Sequence, residues 1–155
     1  MQASVQVMEQ GLADGTYIDY WMEEDHFVCI RVTSICESSD KGKHCLLSVS
    51  PASIERLHRQ HIYPIVVFAR HKSGKQLRQI CSVKAKELRD PQFLPEKLSA
   101  KAAKDVFDKF QKIEKDYNHQ FSAVIQGGNI AEMHQQIKTV IDSEQKKGIW
   151  VPSVL

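Results

Sequence analysis

Eight residues that follow an apolar segment come close to a phosphate-binding loop. They read Ala69-Arg70-His71-Lys72-Ser73-Gly74-Lys75-Gln76. A P-loop requires G-x-x-x-x-G-K-[ST], because glycine lets backbone N–H groups surround the phosphates and the final hydroxyl binds magnesium. Here Ala69 replaces the first glycine and Gln76 replaces the hydroxyl residue. We therefore predict an ordinary strand-to-helix connection capped by Ser73, with no phosphate site.

Histidine and cysteine residues near one another raise the question of a zinc site or a thiol nucleophile. His26 and Cys29 are three residues apart, and His44 and Cys45 are neighbours. The spacing lacks the paired ligands of structural zinc sites, and no catalytic motif surrounds any of the four cysteines. We predict no metal site and no cysteine catalysis, and we expect Cys45 to be a buried strand residue. Unpaired single cysteines also favour a cytoplasmic location.

The stretch 70–89 is strongly basic, with seven lysines and arginines against the single acid Glu87. The first fifty residues are acidic instead, with eight acids and three bases, a net charge of −5. The basic stretch contains no Phe, Tyr or Trp that would stack on nucleic-acid bases. We predict no nucleic-acid partner, and an RNA-binding module with steep salt dependence stays as an alternative.

Length and composition favour one globular domain. The chain has 155 residues, of which 42% are hydrophobic and 26% charged, a balance outside the disordered and fibrous classes. It contains no apolar run of about 18 residues, and its start lacks the basic and apolar regions of a signal peptide. We expect neither a membrane span nor secretion.

Apolar runs of strand length alternate with helical patterns, which is typical of an α/β fold. We predict strands at 16–21, 27–32, 44–49, 63–69, 121–125 and 149–151. Predicted helices cover 5–13 and 130–145, and two more begin at Ser73 and, as a long helix, at the cap Ser99. A further helix is opened by Ser50-Pro51, and its inner face carries Ile54, Leu57 and His61.

Three consecutive strand–helix units predict a mainly parallel central sheet with flanking helices. The acidic residues up to about 43 then form a small lobe, residues 44–155 form the core, and 82–98 form a lid-like loop within one domain, 1–155. Ligands of open parallel sheets bind beyond the carboxyl ends of the strands. We therefore expect the binding crevice near 48–50, 70–73 and 126–129.

Several long segments occur in a characteristic order, namely HCLLSVSPASIERLHRQHIYPIVVFARHKS, VFDKFQKIEKDYNHQFSAVIQGG and GIWVP. In these segments the chain resembles the guanylate-kinase-like domain of membrane-associated guanylate kinase (MAGUK) scaffolds, and within that family the discs-large branch. The resemblance begins at about Val5. It implies a P-loop NTPase-type fold without the family's first strand and P-loop, for which this sequence has no matching residues.

The resemblance also assigns roles to individual positions. The family's Phe-Ile-Glu strand, whose carboxylate holds the guanine base, matches Tyr17-Ile18-Asp19. The tyrosine and glycine that grip the monophosphate are replaced by Val28 and Cys29. Ser48 and Ser50 stand where active enzymes have two aspartates. The resemblance therefore implies no catalytic residues, no cofactor and no metal.

These expectations combine into one predicted function, a catalytically inactive interaction module of a scaffold at the cytoplasmic side of cell junctions or the cell cortex. A protein or peptide would occupy the former nucleotide crevice, and an SH3 domain would lie beside the module in the parent protein. Membranes would be reached only through partners. The predicted partner-binding residues are Asp19, Tyr20, His26, Phe27, Ser48 and Ser50.

Other interpretations stay open. The chain would be a GMP-binding or kinase unit if another chain completed it in trans, or a structural domain without a ligand. A missing central strand would leave unpaired backbone groups, which we expect a partner or a second copy, as a homodimer, to cover. The end Ser153-Val154-Leu155 has the form of a PDZ ligand.

Overall fold

The computed structural model describes residues 2–79, 99–127 and 129–148. The chain divides into two compact units, Met1–Pro64 and Ile65–Leu155. Each unit combines helices with one two-stranded sheet. The α/β class is confirmed, whereas the predicted lobe boundary near residue 43 lies within the first unit.

The first unit is built around an antiparallel hairpin. Its elements in chain order are α1 (Gln2–Ala13), β1 (Tyr17–Glu23), β2 (His26–Arg31), α2 (Val32–Asp40) and α3 (Pro51–Arg59). A turn at Asp14-Gly15 separates α1 from β1, because Gly15 adopts φ +81° and the Asp14 carboxylate accepts the Thr16 N–H at 2.9 Å. Glycine takes this left-handed conformation without steric cost. The turn ends α1 at Ala13, where the sequence predicts the end of this helix.

Three apolar side chains form the core of the first unit. Ile18, Ile35 and Leu57 are buried, and four partly buried residues pack around them: Ile30, Val32, Leu47 and Ile62. Gly11 allows α1 to approach β1 closely, since a Cβ at this position would lie 2.2 Å from Cδ2 of Tyr17. The core thus fixes the base of the hairpin and leaves its turn in solvent.

The segment 44–49 is not the buried strand that its composition predicts. It has no regular secondary structure; Leu46 is 85% exposed, Cys45 is also exposed, and only Leu47 packs on the core. A strand needs a hydrogen-bonding neighbour, and no described residue pairs with this segment. Ser48 and Ser50 therefore lie on irregular backbone.

Two further differences concern helices of the first unit. Residues 32–40 form α2, which the sequence pattern did not predict, since Arg31 at its N-cap makes no side-chain capping bond. His61 was expected on the inner face of α3 with Ile54 and Leu57. Those two residues are buried, but α3 ends at Arg59 and His61 is exposed with φ +57°.

The second unit holds a parallel strand pair with helices around it. Its elements are β3 (Val67–Ala69), α4 (residues 74–79), α5 (Ala100–Tyr117), a 3₁₀ turn (Asn118–Gln120), β4 (Ala123–Ile125) and α6 (Ile130–Glu144). The predicted parallel pairing and the predicted helix starts near Ser73, after Ser99 and at Ile130 are confirmed. Ser99 caps α5 by accepting the Ala102 N–H at 3.1 Å.

The strand pair is shorter than predicted, because residues 63–66 and 121–122 lie outside β3 and β4. The ring of Phe68 on β3 is stacked on that of Phe121, with centroids 4.9 Å apart, and lies near Phe110 of α5. No described residue pairs with the other edge of β3. Its coverage by another chain stays a prediction. The lid-like loop 82–98 and the strand 149–151 lie outside the described residues.

Candidate functional site

Asp19 of β1 joins the hairpin to the start of α3. Its Oδ2 accepts the backbone N–H of Ser50 at 2.9 Å and the hydroxyl of Ser53 at 2.8 Å. Its Oδ1 accepts the N–H of Tyr20 at 3.0 Å. We call the set Asp19, Ser50 and Ser53 the Asp19 anchor. It is a cross-link between elements that lie more than thirty residues apart in sequence.

The start of α3 provides this anchor with its donors. Ser50 is the N-cap and Pro51 follows at the first helical position, where a missing N–H costs nothing. A carboxylate near a helix N-terminus is favoured by the helix dipole. Ser53, one turn in, is fully buried, and its Oγ lies 2.9 Å from the Oγ of Ser50. The anchor is therefore set into the body of the first unit.

Arg56 extends the polar cluster by one more turn of α3. Its Nη1 donates to the backbone carbonyl of Ile18 at 3.0 Å and lies 3.4 Å from the Oγ of Ser53. The guanidinium thus holds the backbone next to Asp19, while Ser53 holds the carboxylate itself. β1 is fastened to α3 through both its backbone and its side chain.

The pKa of Asp19 reflects competing causes. Partial burial raises the pKa, because it disfavours the charged carboxylate. The hydrogen bonds from the Ser50 N–H, the Ser53 and Ser50 hydroxyls and the Tyr20 N–H together outweigh burial and leave the pKa below its usual value. The carboxylate is therefore charged at neutral pH, and its charge is used within the protein.

The opposite face of the hairpin is apolar. Strand residues alternate between faces, and the register pairs Tyr20 with Cys29 and Met22 with Phe27. These four residues share the face that we call the aromatic face. The rings of Tyr20 and Phe27 meet edge to face with centroids 5.9 Å apart, and Met22 is 53% exposed. Tyr20, Phe27 and Cys29 are half-buried, so the face is partly open to solvent, chiefly at Met22.

The structure thus sorts the predicted site residues into groups. Asp19 and Ser50 are hydrogen-bonded in the anchor, and Tyr20 and Phe27 are in ring contact on the aromatic face. His26 begins β2 opposite Glu23 and is exposed, as is Ser48 on its irregular segment. The anchor and the aromatic face lie on opposite sides of one hairpin.

Four further residues of the hairpin and of α3 were not singled out from the sequence: Met22, Trp21, Ser53 and Arg56. Ser53 stands three residues after the N-cap, a spacing that is typical of helix-start hydrogen bonding. That signal was present in the sequence. The sequence carries no such signal for Met22 and Trp21, because the exposure of a hairpin side chain depends on which other elements pack against the hairpin. Trp21 is 42% exposed.

The P-loop-like segment of the second unit serves a structural purpose. The Oγ of Ser73 accepts the Gln76 N–H at 3.2 Å, as predicted for a helix cap. Gln76, which replaces the magnesium-binding hydroxyl residue, accepts the Lys72 N–H at 2.6 Å and donates to the Gly127 carbonyl at 2.9 Å. These bonds fasten the connection between β3 and α4.

The described residues of the second unit line two grooves. One, of about 500 Å³, runs between β4 and α6, and its apolar lining includes Val124 and Val140. The other, of about 360 Å³, lies between α4 and α5 and is lined by Phe107 and three basic residues: Lys75, Arg78 and Lys104. Arg70, at the start of the basic stretch, forms a two-point ion pair with Glu114 of α5.

Within the described part of the chain, no three His, Cys, Asp or Glu side chains gather in a metal-binding arrangement. None of the helices there has the length and apolar character needed to cross a bilayer.

Comparison with known proteins places these features in a family. The model of the family described as guanylate kinase matches residues 3–144, which is most of the chain. The chain belongs to the guanylate kinase family. Within the guanylate kinase family it is similar to the guanylate-kinase-like domains of MAGUK proteins, as the order of its segments predicts.

Named relatives support this placement. The chain is 40% identical over 153 residues to Disks large homolog 5 of Mus musculus and of Homo sapiens. Each alignment covers 99% of this chain. The chain is 28% identical over 151 residues to the Disks large 1 tumor suppressor protein of Drosophila melanogaster. The domain spans 8% of the length of Disks large homolog 5 and 14% of the fly protein.

A solved structure agrees with the fold. The guanylate-kinase-like domain resembles the SH3-kinase fragment of tight junction protein 3 in its apo-form, with a TM-score of 0.64 and 26% sequence identity. The match covers 97% of this chain and 57% of that fragment. The matched residues therefore include residues of both units.

Proposed function

We propose that this guanylate-kinase-like domain is a catalytically inactive protein-interaction module that binds a polypeptide through the β1–β2 hairpin. The observation that carries the proposal is the state of Asp19. The residue that matches the family's guanine-holding carboxylate already accepts hydrogen bonds from Ser50, Ser53 and Tyr20. Those bonds occupy three of the about four acceptor positions of the carboxylate, including both on Oδ2.

The short side chain of Asp19 also argues against guanine binding. Aspartate is one methylene shorter than the glutamate of the family motif, and Asp19 is turned toward the start of α3. A guanine would have to displace the Ser50 N–H and the buried Ser53 hydroxyl, which would then lose their partner. Of these two donors only the Ser53 hydroxyl is buried, and leaving a buried donor unsatisfied costs about 1–3 kcal/mol. Base binding at Asp19 is thus opposed by the fold.

The requirements of phosphoryl transfer point the same way. That chemistry depends on positioning the phosphates and on stabilising their charge. The P-loop-like residues 69–76 lack the first glycine and the final hydroxyl, and Gln76 is tied to Lys72 and Gly127. We therefore infer that the domain transfers no phosphate.

The aromatic face supports a polypeptide as the ligand. Tyr20, Phe27 and Met22 offer a rigid apolar surface of the kind that carries most of the affinity at protein interfaces. Beside it, Glu23, Glu24 and Asp25 make the end of the hairpin acidic. We propose a peptide that places an apolar residue on the aromatic face and a basic residue near the turn. His26 and Ser48 are proposed to contact its flanks.

The relatives supply the proposed setting. The names Disks large homolog 5 and tight junction protein 3 support a place in a cytoplasmic scaffold at cell junctions or the cell cortex. The similar fragment of tight junction protein 3 joins an SH3 portion to its kinase portion, which supports an SH3 neighbour in the parent protein of this domain. Contact with membranes would then be made by partners of the scaffold.

The proposal is tested with a defined ligand. A displayed peptide library would be selected on the purified domain, and the chosen peptide titrated while backbone NMR shifts are followed. We expect the shifts to map to β1 and β2, and Phe27→Ala to weaken binding about tenfold or more. The matched control is Val7→Ala, which removes an exposed apolar side chain of α1 and should change the affinity less than about twofold.

Shifts confined to residues outside the hairpin, or equal effects of the two variants, would refute the proposed site. The alternative, a nucleotide-binding unit completed in trans, is tested by calorimetry with GMP and with Mg-ATP. We expect no heat of binding for either nucleotide at millimolar concentration. Saturable binding of GMP at micromolar affinity would overturn the inactive assignment.

A further inference from the structure

Ser50-Pro51 is the one place in the sequence where a serine or threonine precedes a proline. This dipeptide is the feature that proline-directed protein kinases recognise in their substrates. Ser50 is exposed, and its backbone is extended, with φ −69° and ψ +155°. The sequence requirement and an exposed residue therefore coincide at one position, where the hydroxyl has to leave the Ser53 Oγ before it can react.

The surrounding backbone also suits a kinase. Residues 43–50 form no helix or strand, and Leu46 in this segment is 85% exposed. A kinase active site binds its substrate as an extended chain, which these residues already provide. On the other side, the first turn of α3 begins with a bond from the Ser53 N–H to the Ser50 carbonyl at 3.0 Å. That turn has to open, together with the bonds from Ser50 to Asp19 and to Ser53.

We propose that Ser50 is a phosphorylation site for a proline-directed protein kinase, and that its phosphate releases the Asp19 anchor. In this step the Ser50 Oγ attacks the γ-phosphorus of ATP, and the bond from that phosphorus to the oxygen of ADP breaks. The hydroxyl proton passes to the kinase's catalytic carboxylate. The products are phosphoserine and ADP.

The release follows from the donors that two anions would share. The Ser50 Oγ lies 2.9 Å from the Ser53 Oγ, whose single proton is donated to Asp19 at 2.8 Å. A phosphate on Ser50 would carry a charge of about −1.5 to −2 at pH 7. It would compete with the Asp19 carboxylate for the Ser53 hydroxyl and for the same helix N-terminus, and the two anions would repel each other.

Arg56 gives the phosphate a partner that Asp19 lacks. Its guanidinium reaches to 3.4 Å from the Ser53 Oγ and is bound to the Ile18 carbonyl. Arginine pairs strongly with phosphate, often through two parallel hydrogen bonds. We expect phosphoserine to draw Arg56 from the Ile18 carbonyl, so that β1 loses both of its fastenings to α3. Release of β1 displaces the β1–β2 hairpin. The consequence for peptide binding rests on the proposed function.

The modification is tested on the full chain with a purified proline-directed kinase and Mg-ATP, followed by mass spectrometry of tryptic peptides. We expect one phosphate, on Ser50, in the folded protein. Ser50→Ala should abolish the incorporation, and Pro51→Ala should lower its rate at least tenfold while Ser50 is retained. No incorporation, or incorporation at another residue in the Ser50→Ala variant at the original rate, would overturn the proposal.

The switch is tested without any partner, so that failure of the peptide-binding proposal does not affect the result. Phosphorylation should lower the melting temperature of the wild-type protein by about 4 °C or more and abolish hydrogen-exchange protection of the Ser50 amide. In Asp19→Asn, where the repelling charge is gone, phosphorylation should leave the melting temperature unchanged or raise it. Equal shifts in both proteins would show that the Asp19 anchor is not the target.

Discussion

The carboxylate of Asp19 collects three donors although it is only half-buried. Such an arrangement stabilises the charged form, and the pKa of Asp19 lies below its usual value despite the opposing effect of burial. A group of this kind contributes stability while it is ionised. The Asp19 side chain is thus a structural link between β1 and α3 within the first unit.

Asp19→Asn should lower the free energy of unfolding of the first unit by about 1 kcal/mol at pH 7, because hydrogen bonds to a charged acceptor are replaced by weaker ones. Since the pKa of Asp19 is lower folded than unfolded, its contribution is complete above the ordinary carboxyl pKa of about 3.9. It is lost as the pH falls through the lower, folded pKa. The wild-type advantage should therefore shrink below about pH 4.

Urea unfolding of the two proteins between pH 3 and 7 measures this difference. The fluorescence of Trp21 on β1 reports on the hairpin when both proteins also carry Trp150→Phe. An Asp40→Asn variant is the matched control, since that carboxylate is exposed at the end of α2. A wild-type advantage that stayed constant down to pH 3 would contradict the role given to Asp19.

The β1–β2 hairpin uses its two faces differently. Asp19 binds α3 from one face, and the neighbouring Tyr20 stands on the other with Phe27. The fastened face gives the hairpin a fixed position on the first unit, and this leaves the aromatic face presented on a rigid support. A rigid support reduces the entropy lost on binding. At the scale of the element, one face positions and the other is available for recognition.

The backbone that leaves β4 is held by a side chain. The amide of Gln136 on α6 accepts the Gln126 N–H at 3.2 Å and donates to the Gln126 carbonyl at 3.1 Å. The pair imitates a neighbouring strand and satisfies both backbone groups directly after β4. Glutamine can do this because its side chain carries one acceptor and two donors.

Gln136→Ala should lower the free energy of unfolding of the second unit by about 1 kcal/mol, in proportion to the hydrogen bonds removed. The Gln126 amide should lose protection in hydrogen exchange, while the Ile125 amide within β4 should keep most of it. Gln135→Ala, which truncates an exposed glutamine next to it on α6, is the control and should change neither quantity. Unchanged exchange at Gln126 in the Gln136→Ala variant would exclude the strand-imitating role.

Charge is divided unevenly over the whole chain. The first unit, residues 1–64, carries nine acids and five bases, a net charge of −4, whereas the second unit carries ten acids and sixteen bases, a net charge of +6. The net charge of +2 for the whole chain therefore describes neither unit. The acidic unit carries the aromatic face, which is why a peptide with basic residues is the ligand proposed for it.

The two units should also respond to acid in different pH ranges. In the second unit, burial lowers the pKa of His71, whose ring meets the edge of Phe110. The folded unit therefore takes up this proton less readily than the unfolded chain. Its stability should be complete above the ordinary histidine pKa of about 6.5 and fall as the pH drops below it. The anchor of the first unit should respond only below about pH 4.

Hydrogen exchange at pH 7 and at pH 5.5, corrected for intrinsic rates, checks this expectation. Protection of the Phe68 amide in β3 should decrease at pH 5.5 in the wild type, and His71→Gln should remove most of that decrease. His134, which is exposed on α6, provides a His134→Gln control that should behave like the wild type. A decrease of the same size in all three proteins would assign the effect to other groups.

Much of the fold was predictable because its signals are local. The turn at Asp14-Gly15, the helix starts at Ser50-Pro51 and Ser99 and the spacing of apolar residues in α5 depend on neighbours within one or two turns. The strand at 44–49 failed because strand formation requires a distant partner, which composition does not reveal. The helix α2 was missed because Arg31 gives it no capping signal. Turns and helix starts could thus be predicted from the sequence, whereas strand pairing could not.

The order of residue types was enough to identify the family, the lack of a P-loop between Ala69 and Gln76, and the residues near the hairpin. Folding in three dimensions sets how those residues are used: Asp19 accepts hydrogen bonds from Ser50 and Ser53, and Tyr20 and Phe27 meet on the opposite face. The physical reason is that a residue's type fixes which bonds it can form. Its neighbours in space decide which bonds are left for a ligand.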